Sequence, residues 1–141
     1  MRKILIVNAN YYQKVTDKLL TSAKHKLKKK NLKISLINVP GVFEIPISIK
    51  KNISKFDAFI ALGCVIKGKT PHFDLICNSV FDAIMNLSIA YNKPIGNGII
   101  TALNMRQASE RCGIIKNKKP NKGLEAADAV LSILRNGIKK I

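Results

Sequence analysis

Apolar positions follow two rhythms that alternate along the chain. Lys3 to Asn8 is a short apolar run, as a strand buried on both faces requires. From Gln13 to Lys30 the spacing becomes helical, with Val15, Leu19, Leu20, Ala23 and Leu27 on one face. Leu32 to Val39 alternates and predicts a second strand, which Pro40-Gly41 breaks. Phe43 to Ile53 predicts a short helix, with Pro46 confined to its first turn because proline has no N–H to donate. Asp57 to Ile66 is a third apolar strand, and Lys67 to Pro71 a polar loop. A long helix runs from Pro71 or His72 to Tyr91, turning Phe73, Ile76, Cys77, Val80, Phe81, Ile84 and Leu87 inward. Ile95 to Thr101 predicts strand four, and Asn104 to Cys112 a helix stopped by Gly113. A lysine-rich connector, 114–120, leads to a last helix from Asn121 to Asn136.

Strands alternating with helices imply an α/β architecture, a parallel sheet covered on both faces. With right-handed crossovers, four strands make a flavodoxin-like three-layer sandwich. The chain of 141 residues suits a single domain, 1–141, with no repeat or linker. Ligands of such folds gather at the carboxyl ends of the strands. Those ends are Asn8 to Tyr12, Val39 to Glu44, Cys64 to His72 and Asn97 to Leu103.

Composition adjusts this picture in a few places. Hydrophobic residues make up 47%, too many for a disordered basic tail. No apolar run reaches the roughly 18 residues of a membrane span, and Met1 to Val7 is too short for a secretion signal. Three scattered cysteines, Cys64, Cys77 and Cys112, fit free thiols in a reducing cytoplasm. The formal charge of +17 invites a nucleic-acid reading. Only Arg2, Arg106, Arg111 and Arg135 are arginines, however, and arginine is the side chain that forks onto base edges and phosphates. The one dense group, Lys24, Lys26 and Lys28 to Lys30, sits at a helix end where cations complement the dipole. A solvated basic surface accounts for most of the charge, and its field can steer anionic small molecules.

The familiar cofactor motifs are missing. Strand one is followed by no Gly-x-Gly-x-x-Gly, no lysine-bearing phosphate loop occurs, and no residues have metal-ligand spacing. Three constellations at strand ends remain. Gly63 to Asp74 joins a strand to a helix start, where backbone N–H groups attract anions; Thr70 can cap that helix and Pro71 suits its first position. His72 adds an imidazole able to exchange protons near neutral pH. Cys64, in an apolar strand end, reads as a small buried thiol rather than a nucleophile. Val39 to Glu44 brings Glu44, one of only eight acids, to the next strand end. Glu44 there serves either the helix dipole or a substrate's hydroxyls. Tyr11-Tyr12 follows strand one, where an aromatic either stacks on a planar heterocycle or covers a core edge.

Val39-Pro40-Gly41-Val42-Phe43-Glu44-Ile45-Pro46, Gly63 to Asp74, and Asn121-Lys122-Gly123-Leu124-Glu125-Ala126-Ala127 together resemble the lumazine synthase (6,7-dimethyl-8-ribityllumazine synthase) family of riboflavin biosynthesis. The resemblance runs essentially end to end. It implies condensation of 5-amino-6-(D-ribitylamino)uracil with 3,4-dihydroxy-2-butanone 4-phosphate, without metal or organic cofactor. Carried over by position, Tyr11 falls where the family stacks an aromatic on the pyrimidine. Val42, Phe43 and Glu44 fall where it holds the ribityl chain, and Cys64, Val65 and Ile66 along the pyrimidine edge. Lys69 and Thr70 fall where backbone amides hold phosphate, and His72 at the general acid/base. Asn97, Arg111 and Lys122 fall at positions that a neighbouring subunit contributes, Arg111 as the phosphate clamp.

Three departures from the pattern bear on binding. Asn10-Tyr11-Tyr12 replaces the common Arg-Phe-Asn, Asn97 stands where an aromatic is common, and Lys69 adds a cation beside the phosphate. The long connector 114–120 and the lack of an N-terminal extension resemble the pentameric members, so a cytoplasmic homopentamer is expected, with its active sites between subunits. A riboflavin- or lumazine-binding protein without turnover, and a basic nucleic-acid module, are the competing readings; no membrane partner is expected.

Overall fold

In a computed structural model, residues 1–28, 31–116 and 119–141 are described. The chain runs β1 (Arg2–Ala9), α1 (Gln13–Lys26), β2 (Leu32–Val39), a 3-10 turn (Val42–Glu44), α2 (Ile45–Lys51), β3 (Ala58–Ile66), α3 (His72–Tyr91), β4 (Ile95–Ala102), α4 (Met105–Cys112) and α5 (Lys122–Arg135). Among the described residues the strands form one four-stranded parallel sheet, in the order β2-β1-β3-β4. This is the flavodoxin-like three-layer α/β sandwich that the alternation predicts.

Position in the sheet explains each strand's composition. The inner strands are covered on both faces, so Ile4 to Ala9 and Ala58 to Cys64 are buried without interruption. β2 lies at an edge, and Lys33, Leu36 and Asn38 are exposed there. Because side chains alternate along a strand, the sheet feeds two cores. Ile4, Ile6, Ile60 and Leu62 pack with Leu19 and Ala23 of α1, Ala108 and Cys112 of α4, and Ala126, Ala127, Val130 and Leu131 of α5. Leu5, Val7, Phe59 and Ala61 pack with Ile45 and Ile49 of α2 and Val80 and Ile84 of α3. Fully burying one such aliphatic side chain is worth about 1.5–3 kcal/mol, so the two layers dominate the favourable side of folding.

Several boundaries differ from the sequence expectation. α1 stops at Lys26, where the Leu27 amide bonds back to Ala23 and the Lys28 amide to His25 in a tightened last turn. Lys29 and Lys30 lie outside the described residues, as do residues 117 and 118 of the connector. The helix expected from Phe43 divides in two, so Glu44 sits in the 3-10 turn and Pro46 in the first turn of α2. Asn104 and Asn121 stand just outside their helices as caps; each side-chain oxygen accepts backbone N–H bonds, from Gln107 at 2.9 Å in one case and from Gly123 and Leu124 at 2.9 and 3.1 Å in the other. Gly113 ends α4 at φ +87°, a left-handed conformation that glycine adopts without strain.

α3 carries an unusual surface. Val80 and Ile84 are buried, while Leu75, Met85 and Ile89 stand exposed, Ile89 at 72%. Its length and mean hydropathy suffice for a membrane span, although Asp74, Asn78, Ser79 and Asp82 interrupt the apolar run.

Candidate active site

The topology makes the crevice. α1, leaving β1, packs on one face of the sheet, and α3, leaving β3, packs on the other. Two adjacent strands whose connections part to opposite faces leave an opening between their carboxyl ends. A cavity of 620 Å³ occupies it. Tyr11 and Tyr12 wall it after β1; Gly41, Val42, Phe43 and Glu44 wall it after β2. Cys64, Val65 and Ile66 of β3, with His72 and Ile76 of α3, complete it.

Each side chain is held for a local reason. The Asn10 amide bonds to the Val39 carbonyl at 3.1 Å, continuing the sheet past β1 and bringing Tyr11 against the segment after β2. The Tyr11 and Tyr12 rings meet edge to face at 4.9 Å and 85°. Tyr11 is 75% exposed, whereas Tyr12 is half-buried against the core beneath α1. The Glu44 amide bonds to the Gly41 carbonyl at 3.2 Å, closing the turn that turns Val42 inward and leaves Phe43 exposed. Val42 is buried against the sheet and anchors that turn.

At the other wall, His72 is the first residue of α3 and exposed, with Ile76 one turn further on the same side. The helix start differs from the expected cap. Pro71, not Thr70, occupies the capping position, and Thr70 accepts from the His72 amide only at 3.5 Å. Proline's fixed φ suits the entry to a helix, and its missing N–H leaves nothing there to satisfy. The other amides of the first turn remain directed outward, with Lys69 and Thr70 exposed beside them.

Cys64 lies in the cavity floor at 5% exposure. Burial, with Cys112 adding a smaller effect, pushes its thiol up to about 12. The group is therefore a neutral, small hydrophobe at working pH, as the sequence suggested, and not an activated nucleophile. Burial, then the nearby Tyr11 and Cys64, raise the Tyr12 phenol above its ordinary range.

The sequence-derived residues thus divide. Tyr11, Val42, Phe43, Glu44, Cys64, Val65, Ile66 and His72 converge on one cavity. Lys69 and Thr70 stand in the loop that leads to His72, outside the lining. Asn97, Arg111 and Lys122 do not line it within the chain. Asn97 is the third residue of β4, well before the strand's carboxyl end, and its side chain accepts from the Ile99 amide at 3.0 Å. Arg111 is exposed in the last turn of α4, after Glu110, which pairs with Arg106 at 3.4 Å and Lys119 at 2.8 Å. Hydrogen bonding from Lys119 and then its charge, with Arg106 contributing less, hold the Glu110 carboxyl below its usual range. Lys122 opens α5.

Gly41, Tyr12 and Ile76 also line the cavity; Gly41 and Tyr12 lie within the strand-end constellations of the sequence and Ile76 on the expected inner face of the long helix, but none was singled out as a site residue. Ile76 was legible, since it lies four residues after His72 on a helix. Tyr12 was hidden by its neighbour, because adjacent residues give no hint of which ring turns inward.

Comparison with known proteins bears on the whole chain. The profile of the 6,7-dimethyl-8-ribityllumazine synthase family matches residues 1–136. A protein of that name from Campylobacter jejuni subsp. doylei is 43% identical over 139 residues, covering 94% of this chain and 87% of its own. One from Bartonella tribocorum is 41% identical over 140 residues, 95% and 91% of the two chains. Another, from Methylorubrum extorquens, is 38% identical over 139 residues, 94% and 79%. With the match extending through every strand and helix that shapes the cavity, the chain belongs to the 6,7-dimethyl-8-ribityllumazine synthase family.

Proposed function

We propose that the chain is a 6,7-dimethyl-8-ribityllumazine synthase, joining 5-amino-6-(D-ribitylamino)uracil to 3,4-dihydroxy-2-butanone 4-phosphate in the cavity between β1 and β3. The observation that carries this is the convergence of an aromatic wall, a carboxylate and an imidazole on one 620 Å³ space at the switch point of the sheet.

The chemistry uses that arrangement. The pyrimidine's amine attacks the ketone carbon, and loss of water gives an imine. Phosphate then departs, and the second nitrogen closes the ring with loss of water. Each step moves a proton, and His72, at the cavity wall and open to solvent, is placed to carry it. Tyr11 offers a flat face to the heterocycle, and Glu44 accepts hydrogen bonds from the ribityl hydroxyls. Val42, Phe43, Val65 and Ile66 surround the chain and ring edge and keep water from them. Cys64, neutral in the floor, contributes shape. The outward amides at the start of α3, with Lys69 and Thr70, favour the leaving phosphate electrostatically.

Arg111, Lys122 and Asn97 reach a substrate only from another copy, so the site is completed by assembly as a homopentamer. The exposed Leu75, Met85 and Ile89 of α3 support that reading, since an exposed apolar helix face marks a surface for association.

The test is to mix the two substrates with the protein and follow lumazine absorbance. A rate well above the uncatalysed one is expected, and its absence refutes the activity. His72→Ala should slow turnover by about 10²-fold, the worth of general acid/base help. An unchanged rate in that variant refutes the role of His72 and leaves the activity standing.

A further inference from the structure

Of the two tyrosines at the end of β1, the family resemblance points to Tyr11, yet Tyr12 is the better-held group. The Tyr12 carbonyl accepts from the Val15 and Thr16 amides, both at 3.0 Å, and from the Thr16 hydroxyl at 3.3 Å, locking its backbone at the start of α1. Its ring packs on the core beneath α1, meets Tyr11 edge to face, and turns toward the cavity beside Cys64. A half-buried ring held by the core on one side and by Tyr11 on another is pre-organised, so little entropy is lost when it meets a ligand.

We infer that the Tyr12 hydroxyl donates a hydrogen bond to a ring carbonyl of the pyrimidine substrate, making Tyr12 a specificity-determining binding residue. This rests on the proposed activity of the same cavity. The donor inventory supports it. Uracil carbonyls only accept, and the Glu44 carboxylate also only accepts, so those two groups cannot pair. The Cys64 thiol is a weak donor, Tyr11 stands largely in solvent, and the His72 imidazole, the other side-chain donor of the lining, is assigned to proton transfer. Burial keeps the proton on the Tyr12 oxygen well into the alkaline range, so the group remains a donor wherever the enzyme works. A fixed donor at a cavity wall also discriminates, because a ring without the matching carbonyl leaves that donor unpaired.

The experiment compares wild type and Tyr12→Phe as assembled, full-length protein. The KM for the aminouracil should rise about 3- to 10-fold, the worth of one neutral hydrogen bond, while the KM for the butanone phosphate holds. Equilibrium binding then uses the uracil ligand and two analogues, each lacking one ring carbonyl. With one analogue the two proteins should bind equally, whereas the parent ligand should separate them. Equal KM values for the aminouracil in the two proteins would overturn the inference. So would a loss in Tyr12→Phe of the same size for all three ligands, which would mark a packing effect. If Tyr12→Phe does not fold, Tyr12→Met fills the same place without a hydroxyl and is read in the same way. A wild type that forms no lumazine refutes the activity instead, and the binding comparison still decides Tyr12.

Discussion

Gly123, in the Asn-Lys-Gly segment at the start of α5, has a stability role that helix propensity alone predicts with the wrong sign. Alanine is a better helix former than glycine by up to about 1 kcal/mol, so by propensity Gly123→Ala should stabilise the fold. The packing argues otherwise. A Cβ at position 123 would lie 2.4 Å from the Leu19 carbonyl oxygen of α1 and 3.1 Å from the Leu19 Cα. These are backbone atoms of a helix docked on the sheet, so no side chain can swing aside. Ordinary contact begins at 3.4 Å, so α1 and α5 must part by about 1 Å at their closest point. That separation loosens the packing of Leu19 and Ala23 against Ala126 and Ala127. Overpacking of a close-packed interface costs about 1–3 kcal/mol. A clash with backbone belongs at the upper end, and subtracting the propensity gain leaves a net loss of about 2 kcal/mol. With a urea slope of about 2 kcal/mol per M, the unfolding midpoint should fall by about 1 M at unchanged slope. Circular dichroism at a fixed protein concentration measures it. An unchanged or raised midpoint would refute the reasoning, because propensity would then outweigh the helix contact.

Other predictions follow the same logic. Asn121→Ala removes an acceptor for two amides, worth about 1 kcal/mol, and a 3.0 Å bond from its amide to the Ser22 hydroxyl, worth about as much, so stability should fall by about 2 kcal/mol and the urea midpoint by about 1 M in the same assay. Cys64 binds its proton more tightly folded than unfolded, so its contribution to stability is complete below pH 9 and lost as pH rises from about 9 towards 12. Unfolding measured across that window should show a downward slope that flattens in Cys64→Ala, and an unaltered slope would exclude Cys64 as its source. Arg111→Ala should raise the KM for the butanone phosphate about tenfold or more, as loss of a charge-assisted bond does, and spare the pyrimidine; the reverse pattern would reject the clamp.

The sequence by itself determined the layers. Continuous apolar runs at Ile4 to Val7 and Ala58 to Leu62 specify strands buried on both faces, and the 3.6-residue spacing of Val15, Leu19 and Ala23 specifies a helix above them, because these patterns leave only one way to hide apolar surface. The stop at Gly113 was legible because its chemistry acts within a residue or two, whereas Asn104 and Asn121, read as the first residues of their helices, are the caps just outside them. Tertiary structure alone decided the rest. That Tyr12 turns inward while Tyr11 faces solvent depends on α1 docking over β1, which no local pattern records. The splitting of the predicted helix at Glu44 follows from Val42 being drawn into the core, and it moves the carboxylate to the cavity wall. Asn97, grouped with the residues at a strand's carboxyl end, is only the third residue of β4, which begins at Ile95 as predicted and pairs with β3 through Ala102. Spacing along the chain constrains contacts within a turn or two; which strand ends share a cavity depends on the order β2-β1-β3-β4, and that order is settled by burying the two most apolar strands in the middle.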